Sequence, residues 1–237
     1  MSSLNPVMRV QDQFKDVILE HAPGRKPELD TLIPRLLGQV GLEPRVARMY
    51  PHELSGGMKQ RVLMAIAVAL EPDLVIADEP TTALDVSVQA QIIALLKRLC
   101  RQHGAAVMLI THDMGVIAET ADRVAVMYAG RIAEIGPVQQ VIHDPQHPYT
   151  TGLMGSIPAV GQDVERLSQI EGSMPRLNAI PAGCAFNPRC PRVFDRCRVE
   201  RPGLMPANLT RAACWLHDPE RKAPGAGKDW SEGAVHG

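Results

Sequence analysis

Three scarcities in the sequence narrow the class of protein before any motif is considered. Aromatic residues make up only 3% of the 237 residues, which disfavours functions that need base stacking or an aromatic ligand box. Lys and Arg number 25 against 26 Asp and Glu, so the chain lacks the strong positive charge of a sequence-independent nucleic-acid binder. The longest uninterrupted apolar run, residues 62–70, has nine residues, whereas a membrane span needs about twenty. We therefore expect neither nucleic-acid binding nor a membrane crossing.

A secretion signal is also missing from the opening MSSLNPVMRV, which has no basic stretch followed by a hydrophobic one. We therefore expect a reducing cytosolic compartment, in which the five cysteines are thiols or metal ligands. With 45% apolar and 22% charged residues, the composition is that of a folded globular chain rather than a disordered one. The length suits one large domain, or a medium domain with an appendage.

The apolar pattern predicts an α/β protein. Apolar residues at helical spacing predict two amphipathic helices within the first forty residues, and MKQRVLMAIAVAL predicts another after a Ser-Gly-Gly turn. Residues 74–77 and 106–110 are short apolar runs typical of strands buried on both faces of a parallel sheet, and residues 85–103 predict the helix between them. Residues 123–128 and 131–135 predict a hairpin.

A change of composition near residue 150 predicts a domain boundary. Beyond it prolines and glycines become frequent, apolar periodicity fades, and four of the five cysteines gather between residues 184 and 214. We therefore divide the chain into residues 1–150, an extension at 151–220 and a frayed tail at 221–237. Within the first part, a helical region at about 5–70 precedes an α/β core at about 71–136.

The segment LSGGMKQR ahead of a helix has the parts of a phosphate site. Gly56 and Gly57 let the backbone come close to a ligand, while the helix start offers unpaired N–H groups and the Ser55 hydroxyl is a further donor. Taken alone, such a helix start is more often a plain cap. The phosphate interpretation therefore depends on the neighbouring motifs.

Two predicted strands end in side chains that suit phosphate chemistry. Asp78 and Glu79 follow the first strand, where Asp78 can bind Mg²⁺, directly or through water, and Glu79 can polarise an attacking water. His112 follows the second strand and can donate to a terminal phosphate. A solvated acidic turn and an ordinary surface histidine are the alternatives for each feature by itself.

The order of the motifs resembles that of an ATP-binding-cassette (ABC) ATPase. LSGGMKQR, LVIADEPTTALD and ITHD are similar to the signature segment, the Walker B motif with its D-loop, and the switch histidine of that family. YPHELSGG, VMYAGRIAEIG and HPYTTGLMGSIP resemble the ATPases of dipeptide and oligopeptide importers. The resemblance implies the fold of a partial P-loop NTPase with a helical subdomain and a small Cys-rich C-terminal extension.

The resemblance also implies roles, cofactors and partners. It assigns Glu79 and His112 to catalysis, Asp78 to magnesium, and these residues to nucleotide binding: Ser55, Gly56, Gly57 and Asp85. The implied ligands are ATP and Mg²⁺. The implied partners are a second ABC ATPase subunit and two transmembrane permease subunits, with a periplasmic peptide-binding protein acting indirectly. Such a subunit lies on the cytoplasmic face of the inner membrane and couples ATP hydrolysis to peptide import.

One family motif has no match in the 237 residues. The phosphate-cradling Gly-x-x-x-x-Gly-Lys-Ser/Thr does not occur, and Gly225-Ala-Gly-Lys228 is a false match because Asp229 follows the lysine. We therefore expect the back part of a nucleotide-binding domain, through truncation, a disrupted gene or a mis-assigned start. Its sheet would lack the phosphate-binding strand and expose an apolar edge. The alternative to an active ATPase subunit is a non-catalytic half-cassette that gives only its signature segment to a partner.

Four cysteines in the extension predict a metal centre. Cys184, Cys190, Cys197 and Cys214 follow the pattern C-x5-C-x6-C-x16-C, which matches neither a zinc ribbon nor bacterial ferredoxin loops. Spacing alone leaves zinc, an iron–sulfur cluster and free thiols open. In the family that the chain resembles, this set is associated with a [4Fe-4S] cluster. The fifth cysteine, Cys100, is expected to pack in a helix core.

Overall fold

A computed structural model describes residues 3–82, 84–156 and 170–220. By contacts the chain divides into two units, Met1–Thr120 and Ala121–Gly237, and each is described by itself. The predicted tail at 221–237 and residues 157–169 of the predicted extension lie outside the described residues. No helix in the part that the structure describes combines the length and the apolar character needed to span a bilayer.

The first unit is a helical region followed by a strand–helix–strand segment. Its helices bury the apolar stripes that the sequence predicts, and Phe14, Ile18 and Leu37 are inaccessible to solvent. Their burial removes apolar surface from water, which is the main stabilising contribution to such a core. The elements are α1 (Val10–His21), α2 (Leu29–Gln39), α3 (Gly56–Val68), β1 (Leu74–Asp78), α4 (Val86–His103), β2 (Ala106–Ile110) and α5 (Met114–Thr120).

The strands β1 and β2 form a two-stranded parallel sheet, with Asp78 opposite Ile110. The long helix α4 makes the crossover between them, as parallel pairing requires. It begins after Asp85 and ends at Gly104. Because parallel strands end at the same edge of a sheet, the residues that follow β1 and β2 come together there.

The prediction that both strands are buried on both faces is wrong. Val75 is buried in the helical core, but Leu74 and Ile76 are 50% and 60% exposed. On β2, Val107, Met108 and Ile110 are between 41% and 47% exposed. Within the described residues of this unit, the Val75 face packs on helices while the face with Leu74 and Ile76 stays open.

The second unit contains the predicted hairpin and a short C-terminal ribbon. The hairpin pairs β3 (Arg123–Tyr128) with β4 (Arg131–Pro137) in antiparallel fashion around a turn at Ala129-Gly130. The strand order is β3-β4-β6-β5, so the hairpin pairs with a segment more than seventy residues further along. The remaining elements are α6 (Val138–His143), α7 (Pro148–Gly155), α8 (Asp195–Val199), β5 (Met205–Ala207) and β6 (Thr210–Ala212).

Pairing between β4 and β6 also explains where the two units divide. It joins the hairpin to the Cys-rich segment, so the division by contacts falls at Thr120 rather than near residue 150. The boundary near residue 150 is a division by composition and family, and it stays a prediction.

Candidate functional site

The glycines of the signature-like segment lie at the start of α3, against the start of α4. Ser55 is the N-cap residue, and its Oγ accepts a hydrogen bond of 3.3 Å from the Met58 N–H. A Cβ atom on Gly56 would lie 3.1 Å from Leu84, and one on Gly57 would lie 3.2 Å from Val88. Close packing against Leu84 and Val88 therefore explains why both positions are glycine. Ser55 and Gly56 nevertheless remain exposed at the helix start.

Asp85 caps the neighbouring helix. Its carboxylate accepts hydrogen bonds from the Val88 N–H at 2.9 Å and from the Ser87 hydroxyl at 2.8 Å. These two bonds, the first above all, hold the pKa of Asp85 below its usual value. Because Val88 also contacts Gly57, the starts of α3 and α4 are adjacent, so Ser55, Gly56, Gly57 and Asp85 are brought into one region.

Glu79 and His112 meet at the carboxyl ends of β1 and β2. The Glu79 Oε1 lies 2.9 Å from the His112 Nδ1, and its Oε2 accepts a hydrogen bond of 3.0 Å from the Thr82 hydroxyl. The Glu79 N–H donates to the Ile110 carbonyl at 2.9 Å, which ties its backbone to the end of β2. The backbone φ of Glu79 is +46°, an unusual conformation for a residue with a side chain. The structure thus pairs the two residues that the sequence assigns to catalysis.

Each member of this pair shifts the protonation of the other. The hydrogen bond from His112, followed by that from Thr82, lowers the pKa of Glu79 despite its partial desolvation. The bond to Glu79 and its negative charge raise the pKa of His112. The His112 side chain is 84% exposed and that of Glu79 is 38% exposed, so both are open to a ligand.

Two further carboxylates, those of Asp78 and Asp113, are next to the pair in sequence, and they differ in exposure and in their hydrogen bonds. Asp78 is exposed at the end of β1, where the sequence predicts a magnesium ligand. Asp113 accepts hydrogen bonds from the Val116 N–H at 3.1 Å and from the Gln89 side chain at 2.7 Å, so its position is fixed by α5 and α4. Sequence analysis missed Thr82 and Gln89. Thr82 could have been found, because its hydroxyl lies three residues after Glu79 in the sequence. No local sequence signal points to Gln89.

In the second unit, Cys184, Cys190, Cys197 and Cys214 line one small cavity of about 10 Å³. Burial raises the pKa of Cys184, of Cys190 and, to about 11, of Cys214. Yet among the described residues no group of three or more His, Cys, Asp or Glu side chains is arranged to hold a metal ion. The four thiols converge, but the expected metal centre is not confirmed. Cys100, as expected, is buried in the core along α4.

His147 also lines the cysteine cavity, but its hydrogen bonds already fix its ring. The Nδ1 accepts a hydrogen bond of 3.0 Å from the Tyr149 N–H. Burial, with a smaller contribution from His217, lowers the pKa of His147 to about 4. His147 is therefore neutral near pH 7, and one of its two ring nitrogens is occupied.

A buried carboxylate that the sequence did not point to holds this unit together. Glu134 of β4 is inaccessible to solvent. It accepts hydrogen bonds from the Gln146 N–H at 3.0 Å, the His147 N–H at 2.9 Å and the Thr210 hydroxyl at 2.9 Å. It therefore joins β4, β6 and the turn before α7, and its charge is satisfied by protein donors.

Comparisons with known proteins agree with this geometry. The family model of the ABC transporter matches residues 2–82, and that of the oligopeptide/dipeptide transporter C-terminal region matches residues 133–197. A solved ATP-binding cassette, the dimeric MJ0796 in a post-hydrolysis state with ADP and phosphate, is 30% identical. It superposes with a TM-score of 0.50 over 57% of this chain and 59% of that one. The fold is that of an ABC ATPase.

Curated relatives narrow the class to one branch. The oligopeptide transport ATP-binding protein AppD of Bacillus subtilis is 44% identical over 93% of this chain and 68% of its own length. The dipeptide transport ATP-binding protein DppD of Bacillus subtilis is 45% identical over 92% of this chain and 66% of its own length. DppD of Escherichia coli K12 is 48% identical over 86% of this chain and 63% of its own length. The chain therefore belongs to the ATP-binding proteins of oligopeptide and dipeptide ABC transporters, as the sequence predicts. It spans about two thirds of the length of these relatives.

Proposed function

We propose that the chain works as an ATP-hydrolysing subunit of a peptide-importing ABC transporter. The observation that carries this proposal is the 2.9 Å contact between Glu79 and His112 at the carboxyl ends of β1 and β2. An exposed carboxylate kept ionised by a lowered pKa can accept a proton from water, and the paired imidazole is a donor for phosphate oxygens. Both groups stand where ligands bind in open α/β sheets, outside the carboxyl ends of the strands.

Each residue of the site has a role in this proposal. Glu79 orients the attacking water and takes up its proton as the terminal phosphate is transferred, and His112 donates a hydrogen bond to that phosphate. Asp78 would hold Mg²⁺, which in such sites keeps several water and phosphate ligands and needs only one or two carboxylates. Its exposed carboxylate fits that requirement. Magnesium supplies charge neutralisation on the phosphates.

The start of α3 serves a second nucleotide in this proposal. Ser55 and Gly56 are exposed there, and a helix N-terminus favours an anion. We infer that Ser55, Gly56 and Gly57, with Asp85 beside them, face the ATP of a partner ATPase subunit. Two permease subunits and, indirectly, a periplasmic peptide-binding protein complete the transporter. The chain then lies at the cytoplasmic face of the inner membrane.

The alternative is a half-cassette that contributes only its signature segment. What supports it is the exposed helix start at Ser55 and Gly56, which can act on a partner's nucleotide whatever happens at Glu79. The two proposals differ in what Glu79 does, because a half-cassette would hydrolyse nothing at its own Glu79. Either way, Ser55 would act on the partner's nucleotide.

Variants of these two residues separate the proposals. The chain is assembled with a complete peptide-importer cassette and the permease subunits, and ATP turnover is measured. An active subunit predicts that Glu79→Gln lowers turnover by about 100-fold or more, the usual contribution of an acid–base group. Glu119→Gln, which removes an exposed carboxylate from α5, is the matched control and leaves turnover unchanged. Unchanged turnover with Glu79→Gln, beside complete loss with Ser55→Arg, would instead establish the half-cassette.

We also propose that the four cysteines bind a [4Fe-4S] cluster. Their convergence on one cavity and their thiolate chemistry support this. Around a single zinc ion, with Zn–S bonds of about 2.3 Å, the sulfurs would have to approach more closely than around a four-iron cluster. The choice of the cluster over zinc rests on the resemblance of this segment to the C-terminal extension of the peptide-importer ATPases, in which this cysteine set is associated with a [4Fe-4S] cluster. When bound, such a centre supplies thiolate bonds that join distant parts of the chain.

Colour and metal content test the cluster. Protein purified without oxygen should be brown, absorb at about 400 nm and carry about four irons and four sulfides per chain. Changing all four cysteines to Ser should remove colour and iron, while Cys100→Ser should leave both unchanged. A colourless protein that contains one zinc per chain would show that the cysteines bind zinc instead of a cluster. A metal-free protein would contradict both kinds of metal centre.

A further inference from the structure

Two of the four cavity cysteines are each next to one member of a cation–π pair. Arg196 precedes Cys197 in α8, and Trp215 follows Cys214. The guanidinium carbon of Arg196 lies 3.6 Å from the centroid of the Trp215 ring. Contacts of this type reach to about 6 Å, so the two groups are stacked closely. The pair therefore joins α8 to the segment after β6 at the edge of the cysteine cavity.

Carboxylates fix the guanidinium over the ring. The Arg196 Nε donates to Glu200 at 2.5 Å, and its Nη1 pairs with Asp218, whose side chain is only 10% exposed. The Trp215 Nε1 donates to the Glu200 carbonyl at 2.9 Å. We call Arg196, Glu200, Trp215 and Asp218 the arginine clamp. Its donors are directed at fixed acceptors, which a planar guanidinium does better than a lysine.

The other cysteines are held together by bonds within their own loop. The Cys184 N–H donates to the Cys197 carbonyl at 2.9 Å, and the Asn187 side chain donates to the Cys184 carbonyl at 2.8 Å. The Cys190 N–H donates to the Asn187 carbonyl at 3.4 Å. Cys214 is separated from Cys197 by sixteen intervening residues. It therefore depends on longer-range contacts to reach the cavity.

We propose that the arginine clamp holds Cys214 beside the other three cysteines from its C-terminal side. On its N-terminal side, the Ala213 N–H donates to the Ala133 carbonyl at 2.8 Å. Trp215 of the clamp is one residue from Cys214, so opening the clamp lets the Cys214 side chain leave the cavity more often, while the loop bonds of Cys184 and Cys190 stay. The purpose of this positioning rests on the proposed metal centre, which needs all four thiols at once. The positioning itself can be measured without metal.

The test is thiol labelling of the full chain, stripped of metal and reduced, with a maleimide pulse read residue by residue by mass spectrometry. Arg196→Gln should raise the labelling rate of Cys214 about tenfold, because the segment that carries it opens more often. Cys184 and Cys190 should change little, and buried Cys100 in the other unit is the internal reference. The labelling rate of Cys214 in Arg196→Lys should fall between those of wild type and Arg196→Gln, since lysine keeps the positive charge but loses the planar guanidinium with its several donors. Arg198→Gln, an exposed arginine of the same helix, is the matched control.

A second variant and the iron content complete the design. Trp215→Phe keeps an aromatic ring but loses the N–H donor and weakens the cation–π contact, so it should raise Cys214 labelling in the same direction. Iron retained after anaerobic purification should fall in Arg196→Gln and not in Arg198→Gln. The clamp is rejected if Cys214 labels no faster than in the control, or if all four cysteines speed up together, as general unfolding would cause. If the wild-type protein contains no metal but the labelling rate of Cys214 still depends on Arg196, the proposed metal centre is wrong and the positioning role of the clamp is supported.

Discussion

The two units hold their polar groups in opposite environments. In the first, Glu79 and His112 bond to each other at the edge of a sheet, where the His112 side chain is exposed and that of Glu79 is partly exposed. In the second, Glu134 is inaccessible, and protein donors from three segments satisfy its carboxylate. Exposed ion pairs contribute little to stability, whereas a buried charge must be fully satisfied. We infer that the open pair is available for a ligand and that the buried carboxylate maintains the fold.

The largest expected effect comes from two glycines with similar backbone angles, one in each unit. Gly183 has φ +72° and Gly104 has φ +68°. A Cβ on Gly183 would lie 2.3 Å from the Cys197 carbonyl oxygen, whereas nothing lies within 4 Å of one on Gly104. Gly104→Ala should cost about 1 to 2 kcal/mol for the left-handed conformation alone. Gly183→Ala should cost clearly more, because backbone must move beside the cysteine cavity.

Urea unfolding followed by tryptophan fluorescence measures the Gly183 effect, since Trp215 is buried in the second unit. Circular dichroism, to which the helices of the first unit contribute most, measures the Gly104 effect. Equal losses in the two variants would show that the crowding around Gly183 is easily relieved.

Removing the buried carboxylate should have the next largest effect. Glu134→Ala leaves the Gln146 and His147 N–H groups without their acceptor, and each unsatisfied group costs about 1 to 3 kcal/mol. Glu134→Gln keeps one acceptor oxygen and should cost less. The measurement is again the fluorescence midpoint in urea, with exposed Glu171→Gln as the control. A Glu134→Ala protein as stable as wild type would contradict the structural role.

The smallest effect on stability is expected for the pair of Glu79 and His112. Their interaction is measured through the pKa values of the two side chains. Because the pKa of His112 is raised in the fold, its contribution is present below its ordinary pKa of about 6.5 and is lost as pH rises through the raised value. The pKa of Glu79 is lowered, so its contribution is lost as pH falls through that value. In Glu79→Gln, an NMR titration should show the pKa of His112 returning towards about 6.5, with only a small fall in the unfolding midpoint. An unshifted titration would show that the two side chains do not interact in solution.

Local sequence signals predicted what local chemistry determines. The stripes of α1 and α2 and the hairpin turn at Ala129-Gly130 follow from periodicity and turn residues, and Glu79 and His112 follow the two strands at which the sequence placed them. The contact between Glu79 and His112 was not predicted. Strand burial was predicted wrongly because apolar content alone does not tell which faces are covered. Long-range pairings left no local signal, so the bonds from Glu134 to Thr210 and from Arg196 to Asp218 were not foreseen.

The central claim is that Glu79 and His112 act together on the terminal phosphate, and a double-mutant cycle in the assembled transporter tests it most directly. ATP turnover is measured for Glu79→Gln, His112→Ala and the double variant. Residues that act as a unit give strongly non-additive effects, so the double variant should lose little more activity than the more damaging single one. Losses that multiply would show that the two side chains act independently, and unchanged turnover in both single variants would contradict the claim.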